Sequence, residues 1–116
     1  MVDNYWIEAV PSIGGLVVLD VTNSARPVKV SELSLGANQF THWLAWDEAG
    51  SRIILNSGGQ DSRLFMLKFY RKTGAVTIDN DFRNPGSTRP GFSMSDIAWP
   101  HGFQGTGLPH GAVFSR

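Results

Sequence analysis

The sequence predicts an all-β chain of short antiparallel strands joined by tight turns, and three observations carry this. Thirteen Gly and six Pro in 116 residues make the chain turn often, as all-β domains with many short strands do. Apolar, β-branched and aromatic residues fall in short runs, such as Leu16-Val17-Val18-Leu19 and Arg63-Leu64-Phe65-Met66-Leu67, that are too short for helices and suit buried strands. Between the runs lie turn-forming combinations: Thr22-Asn23-Ser24 before Pro27, Asp47-Glu48-Ala49-Gly50, and Arg71-Lys72-Thr73-Gly74.

Composition narrows what such a chain does. Lys+Arg and Asp+Glu balance at ten each, so the net charge is zero. No basic field draws in nucleic acid through counterion release, and no nucleic-acid partner is expected. The mean hydropathy of −0.13 is ordinary for a globular chain, and no apolar run approaches the roughly 18 residues of a membrane span. Zero Cys excludes disulfides, thiolate nucleophiles and Cys-ligated metal sites within this chain. It fixes no compartment, since a periplasmic or secreted parent can also lack cysteine.

Taken in order, residues 5–10 read as a strand closed by Pro11-Ser12-Ile13-Gly14-Gly15. Residues 16–21 form a buried strand of continuous apolar character, and residues 28–33 alternate apolar and polar as a half-exposed strand does. Residues 41–46 and 53–56 form a hairpin around Asp47–Arg52, with Gly50 placed to supply a positive φ. Residues 63–70 give a third strand, with Phe65, Leu67 and Phe69 on one face and Leu64, Met66, Lys68 and Tyr70 on the other. The turn through Gly74 leads to a fourth strand at 75–78. Residues 41–78 are thus one antiparallel four-stranded meander, preceded at 1–40 by a three-stranded one. Regularity then stops: residues 79–108 carry three Pro and five Gly and read as a long irregular loop, with a short strand or helical turn at 95–99. Residues 109–116 read as the start of another strand.

Four-stranded meanders in series are the repeating unit of β-propellers, which need about four to eight of them. The expected architecture is therefore a propeller fragment of about two blades from a parent of about seven: a partial blade at 1–40, a complete blade at 41–78, the loop at 79–108 and the first strand of a closing blade at 109–116. The expected partners are the remaining blades or further copies of the chain, because isolated blades expose strand edges and apolar faces.

The run from Gly14 to Asp20, with Thr22 and Pro27 after it, resembles the LVIVD-type propeller repeat, in which an apolar strand ends in Asp and a D-x-[ST] turn leads through Pro to the outer strand. The Asp47-Glu48-Ala49-Gly50 and Thr73-Gly74 turns resemble those of YVTN-type propellers. More distantly, His42-Trp43-Leu44-Ala45-Trp46 together with Trp99-Pro100-His101-Gly102 and Pro109-His110-Gly111 is similar to the selenium-binding protein family, whose bacterial members include methanethiol oxidases. That resemblance implies a histidine-bound copper at the central channel. The Cys-bearing motif of the family has no counterpart here.

The chemistry-bearing candidates are the three histidines. His42 and His110 begin or precede expected innermost strands, and His101 lies on the long loop. Converging imidazoles suit Cu, Zn or Fe; alternatively, each satisfies backbone carbonyls at a tight inner turn. Asp20 and Asp47 read as turn caps, and Glu48, Asp79, Asp81 and Asp96 are spread along turns. Asp79-Asn80-Asp81 lacks the Gly and Glu a calcium loop needs. Gly102, Gly105 and Gly107 do not form a phosphate loop, and no serine sits in a nucleophile elbow. Trp43 and Trp46 are expected to pack between blades. The functional expectation is a ligand- or partner-binding propeller scaffold without independent catalysis. The alternative is part of a copper-dependent oxidase, or of a lactonase-like enzyme, with its site at the channel.

Overall fold

A computed structural model describes residues 1–59, 61–95 and 97–115. Asp96, one of the acids considered above, lies outside them. The fold is all-β, with two antiparallel sheets. The first contains β1 (Tyr5–Val10), β2 (Gly15–Asp20) and β3 (Val28–Ser34), in that order. The second contains β4 (Phe40–Asp47), β5 (Arg52–Gly58), β6 (Arg63–Tyr70) and β7 (Ala75–Ile78), again in sequence order. A two-residue strand, β8 (Phe92–Ser93), pairs with the start of β6 at Arg63 and Leu64. Among the described residues no helix is long and apolar enough to cross a membrane.

Register decides which side chains form the core. Phe65, Leu67 and Phe69 share one face of β6, and Ile53 and Leu55 lie opposite them on β5. This face meets Leu16 and Val18 of β2 and Tyr5 of β1, and the buried cluster between the sheets is built from these residues. Tyr5 and Trp46 each meet Phe69 edge-on, at centroid distances of 5.6 Å, a favoured aromatic geometry. Trp46 therefore packs between the sheets as its position predicts. Trp43 does not: it lies on the opposite face of β4, half-exposed.

The sheets touch at both margins, β1 against β4 and β3 against β7. The Thr41 hydroxyl donates to the Gly15 carbonyl at 2.7 Å and ties β4 to β2. Gly74, at φ 69°, brings the β6–β7 turn against the first sheet; an added Cβ would lie 2.7 Å from Tyr5 Cε1 and 2.8 Å from Val30 Cγ2. Asp20 caps the turn after β2, accepting from the Thr22 amide at 2.8 Å and from Asn4 Nδ2 at 2.9 Å. Thr22 and Asn4 hold its carboxyl below the usual carboxylate range.

Three expectations are corrected. The β4–β5 turn takes its left-handed residue at Ser51 (φ 49°), not at Gly50. The connection between Asp47 and Arg52 is a four-residue loop, and its positive φ falls at the last position. Gly50 lies under the Asp47–Arg52 ion pair, where a Cβ would lie 2.5 Å from both Arg52 Nε and Asp47 Oδ2 and would make those side-chain ends shift. The region 79–108 is not wholly irregular. The Asn84 side chain exchanges two hydrogen bonds with Ser93, at 2.7 and 3.1 Å, and so steadies β8 beside β6; residues 97–99 form neither strand nor helix. Residues 109–115 do not form a strand. They lie over the face of β4 and β5 that points away from the first sheet, where side chains hold them and no backbone ladder does.

Candidate functional site

The site is built on an irregularity in β4. Thr41 pairs with Ser57 and Trp43 with Asn56, so His42 is an extra residue in the ladder. A bulge of this kind turns two successive side chains toward one face. Thr41 stays on the core side, while His42 and Trp43 both reach the outer face. There they meet Pro109-His110-Gly111. The rings of His42 and His110 stand edge-on, with centroids 5.0 Å apart. A side-chain atom added at Gly111 would lie 3.3 Å from Trp43 Cε2, a tight contact, so the chain crosses close over the indole. Asn56, fully buried on β5, donates through Nδ2 to the Pro109 carbonyl at 2.7 Å. Among the described residues its Oδ1 has no hydrogen-bond partner. Farther along, the Arg52 guanidinium lies 5.5 Å from the centre of the Phe114 ring, and residues 113–115 line an open cleft with Ala45, Trp46 and Glu48.

A polar cluster occupies the same end of the sheets, where β2, β4 and β6 begin. Arg63, 7% exposed, directs Nε to both Asp61 oxygens at 3.0 and 3.1 Å and Nη1 to the Gly91 carbonyl at 3.0 Å. Arg89 Nη2 reaches Asp61 Oδ2 at 2.5 Å, and Gln39 Nε2 lies 3.4 Å from the same oxygen. Burial alone would push the Asp61 carboxyl up; the hydrogen bonds and charges of Arg63 and Arg89 outweigh it and hold the group below the usual carboxylate range. The cluster stitches the 35–39 crossover, the β5–β6 loop and the 89–91 segment together around a polar cleft.

Of the three histidines, the structure brings His42 and His110 together and leaves His101 exposed on the loop. Among the described residues no group of three or more His, Cys, Asp or Glu gathers as a metal would require. Two imidazoles fit a transition metal as a partial ligand set only, and the other ligands would have to come from outside this group. Asp47 pairs with Arg52 at 2.6 Å, and Asp79 caps its own turn through the Asp81 amide at 3.2 Å; both are structural. Sequence reasoning passed over Asn56, Gln39, Asp61, Arg63 and Arg89. One signal was present: Asn56 directly follows the apolar run Ile53-Ile54-Leu55, where a buried amide requires a partner.

No protein family matches this chain, and neither a curated protein nor a solved structure does.

Proposed function

We propose that the two sheets are neighbouring blades of a β-propeller, the first lacking its innermost strand, and that the chain is a ligand- or partner-binding scaffold without catalysis of its own. The observation that carries this reading is that β2, β5 and β6 carry apolar side chains on both faces over part of their length. In β2, Leu16 and Val18 point to the core while Val17 and Leu19 point away from it; in β5 and β6, Ile54, Leu64 and Met66 do the same on the outer side. A two-sheet sandwich needs polar outer faces, whereas stacked blades are covered on both sides. The margin-to-margin packing of β1 on β4 and β3 on β7, with a short crossover at 35–39, supports the same stacking. The site lies where the crossover, the β5–β6 loop and the start of β4 meet.

Sedimentation and thermal unfolding of the purified chain test this. Blade faces without neighbours predict self-association driven by Trp6, Val28 and Trp43, all exposed. A monodisperse monomer with one cooperative thermal transition refutes the reading.

A second reading, part of a copper-dependent oxidase or a lactonase-like propeller enzyme, is favoured by the approach of His42 to His110. In it the two imidazoles hold a transition metal whose remaining ligands lie elsewhere in the assembly. Stoichiometric copper that is lost in His110→Ala supports it. A folded, metal-free protein that takes up neither copper nor zinc counts against it.

A further inference from the structure

The first sheet has an open edge along β1. The Asn4 carbonyl accepts from the Val21 amide at 2.9 Å, so Asn4 faces the β2 side. Backbone groups alternate sides along a strand, and those of Tyr5, Ile7 and Ala9 therefore point away from β2. Tyr5 bears out this phase: its N–H and C=O both bond Val2, at 2.8 and 2.9 Å. Beyond Tyr5, among the described residues, no strand lies along this edge, and the N–H and C=O of Ile7 and Ala9 make no backbone hydrogen bond. Nothing on β1 discourages pairing, since it carries no Lys, no Pro and no bulge. Residues 112–115 are the counterpart. Val113 and Phe114 favour a strand, yet among the described residues the backbone of this segment makes no backbone hydrogen bond, and Val113 is 87% exposed.

We propose that residues 112–115 of one copy add to the β1 edge of a second copy as an antiparallel strand, bonded to Ile7 and Ala9. The lengths match, because the edge from Trp6 to Ala9 and the segment are each about 13 Å when extended. The antiparallel sense continues that of Val2, which already bridges Tyr5 in this way. The strand comes from another copy because of where the segment sits. It lies on the face of the second sheet that points away from the first, so the second sheet stands between it and its own β1, and packed sheets are about 10 Å apart. Its base is tied down by Asn56 at Pro109, and Gly111 gives a pivot between that anchor and the strand-forming residues. Reciprocal exchange closes a two-fold pair in which neither β1 edge stays open. Backbone pairing at this edge needs neither the apolar faces nor a propeller.

Amide hydrogen exchange read by mass spectrometry on the full chain tests this and tolerates an assembly of any size. Where sedimentation shows association, the Ile7 and Ala9 amides should exchange at least about tenfold more slowly than in protein diluted to monomer. Val113→Pro combined with Phe114→Pro removes the donor that faces the edge, whichever phase the segment adopts. The segment belongs to no ladder, so the sheets do not depend on it. In that double variant the protection of Ile7 and Ala9 should vanish while that of β5 and β6 is unchanged. Association that leaves Ile7 and Ala9 unprotected overturns the proposal and leaves association through the apolar faces standing. Protection that persists in the monomer, or in the double variant, overturns it as well. A chain that stays monomeric at every concentration overturns both.

Discussion

Replacing Asn56 by Leu separates what holds the terminal segment from what holds the sheets. Asn56 is fully buried and, among the described residues, makes one side-chain hydrogen bond, to the Pro109 carbonyl, while its Oδ1 makes none. Leucine keeps its branching at Cγ but is the larger side chain, so overpacking adds a cost of about 1–3 kcal/mol at this buried site. The substitution gives up one net hydrogen bond, about 1 kcal/mol, and removes an unsatisfied acceptor whose burial costs about 1–3 kcal/mol. Overpacking and the removed acceptor roughly offset each other, so the two sheets should keep their stability to within about 2 kcal/mol. The terminal segment fares differently. Left on the face, the Pro109 carbonyl would lack a donor at a cost of about 1–3 kcal/mol. The remaining attachments are the His42–His110 contact, about 0.5–1.5 kcal/mol by analogy with aromatic pairs, and the Arg52–Phe114 contact, about 0.5–1 kcal/mol. Cost and attachment are comparable, so a large fraction of the segment should leave the face. NMR reads this directly, because Gly111 lies over the Trp43 indole and its Hα resonances are ring-current shifted. In Asn56→Leu those shifts should collapse toward random-coil values while the unfolding free energy changes by less than about 2 kcal/mol. An unfolding free energy lowered by more than about 2 kcal/mol with Gly111 still shifted would refute the reasoning, because Asn56 would then be supporting the sheets and not the segment.

Two further outcomes follow from the packing and the charges. Gly74→Ala places a methyl at φ 69° between Tyr5 and Val30 and should destabilise by at least about 2 kcal/mol, from left-handed strain plus the inter-sheet clash; an unchanged urea midpoint would contradict that contact. Stability should fall on acidification: Asp3, Asp20, Asp47 and Asp61 all have carboxyls held below their ordinary value, so their contribution is present above about pH 4 and is lost as pH drops through the lower folded values. Asp61→Asn should make the acid limb of Tm against pH shallower, and an identical limb would show that Arg63 and Arg89 do not favour the ionised carboxylate.

Local chemistry made the strands legible. The segments 5–10, 63–70 and 75–78 are β1, β6 and β7 as read, because a run of β-branched and aromatic residues bounded by Gly, Pro or Asn encodes a strand without reference to anything distant. Asp20 with Thr22 was equally readable, since the cap closes over two residues. The 109–115 segment was misread for a related reason: Ala112-Val113-Phe114 has strand-forming residues, but a strand needs an edge to pair with, and periodicity names no partner. The approach of His42 to His110 could be anticipated only as two residues near one end of a sheet. The bulge that delivers His42 to the outer face depends on how β4 pairs with β5.

By itself the sequence determined the all-β class and the strand order within each meander, because these follow from a two-residue period and from turn chemistry. Only the tertiary structure decided what lies on those faces and at their ends. Asn56 reaches a carbonyl 53 residues away, and Asp61 gathers an arginine from 28 residues downstream and a glutamine from 22 upstream. Partners so far apart are chosen by which surfaces remain open once the sheets have packed, and no local pattern carries that information.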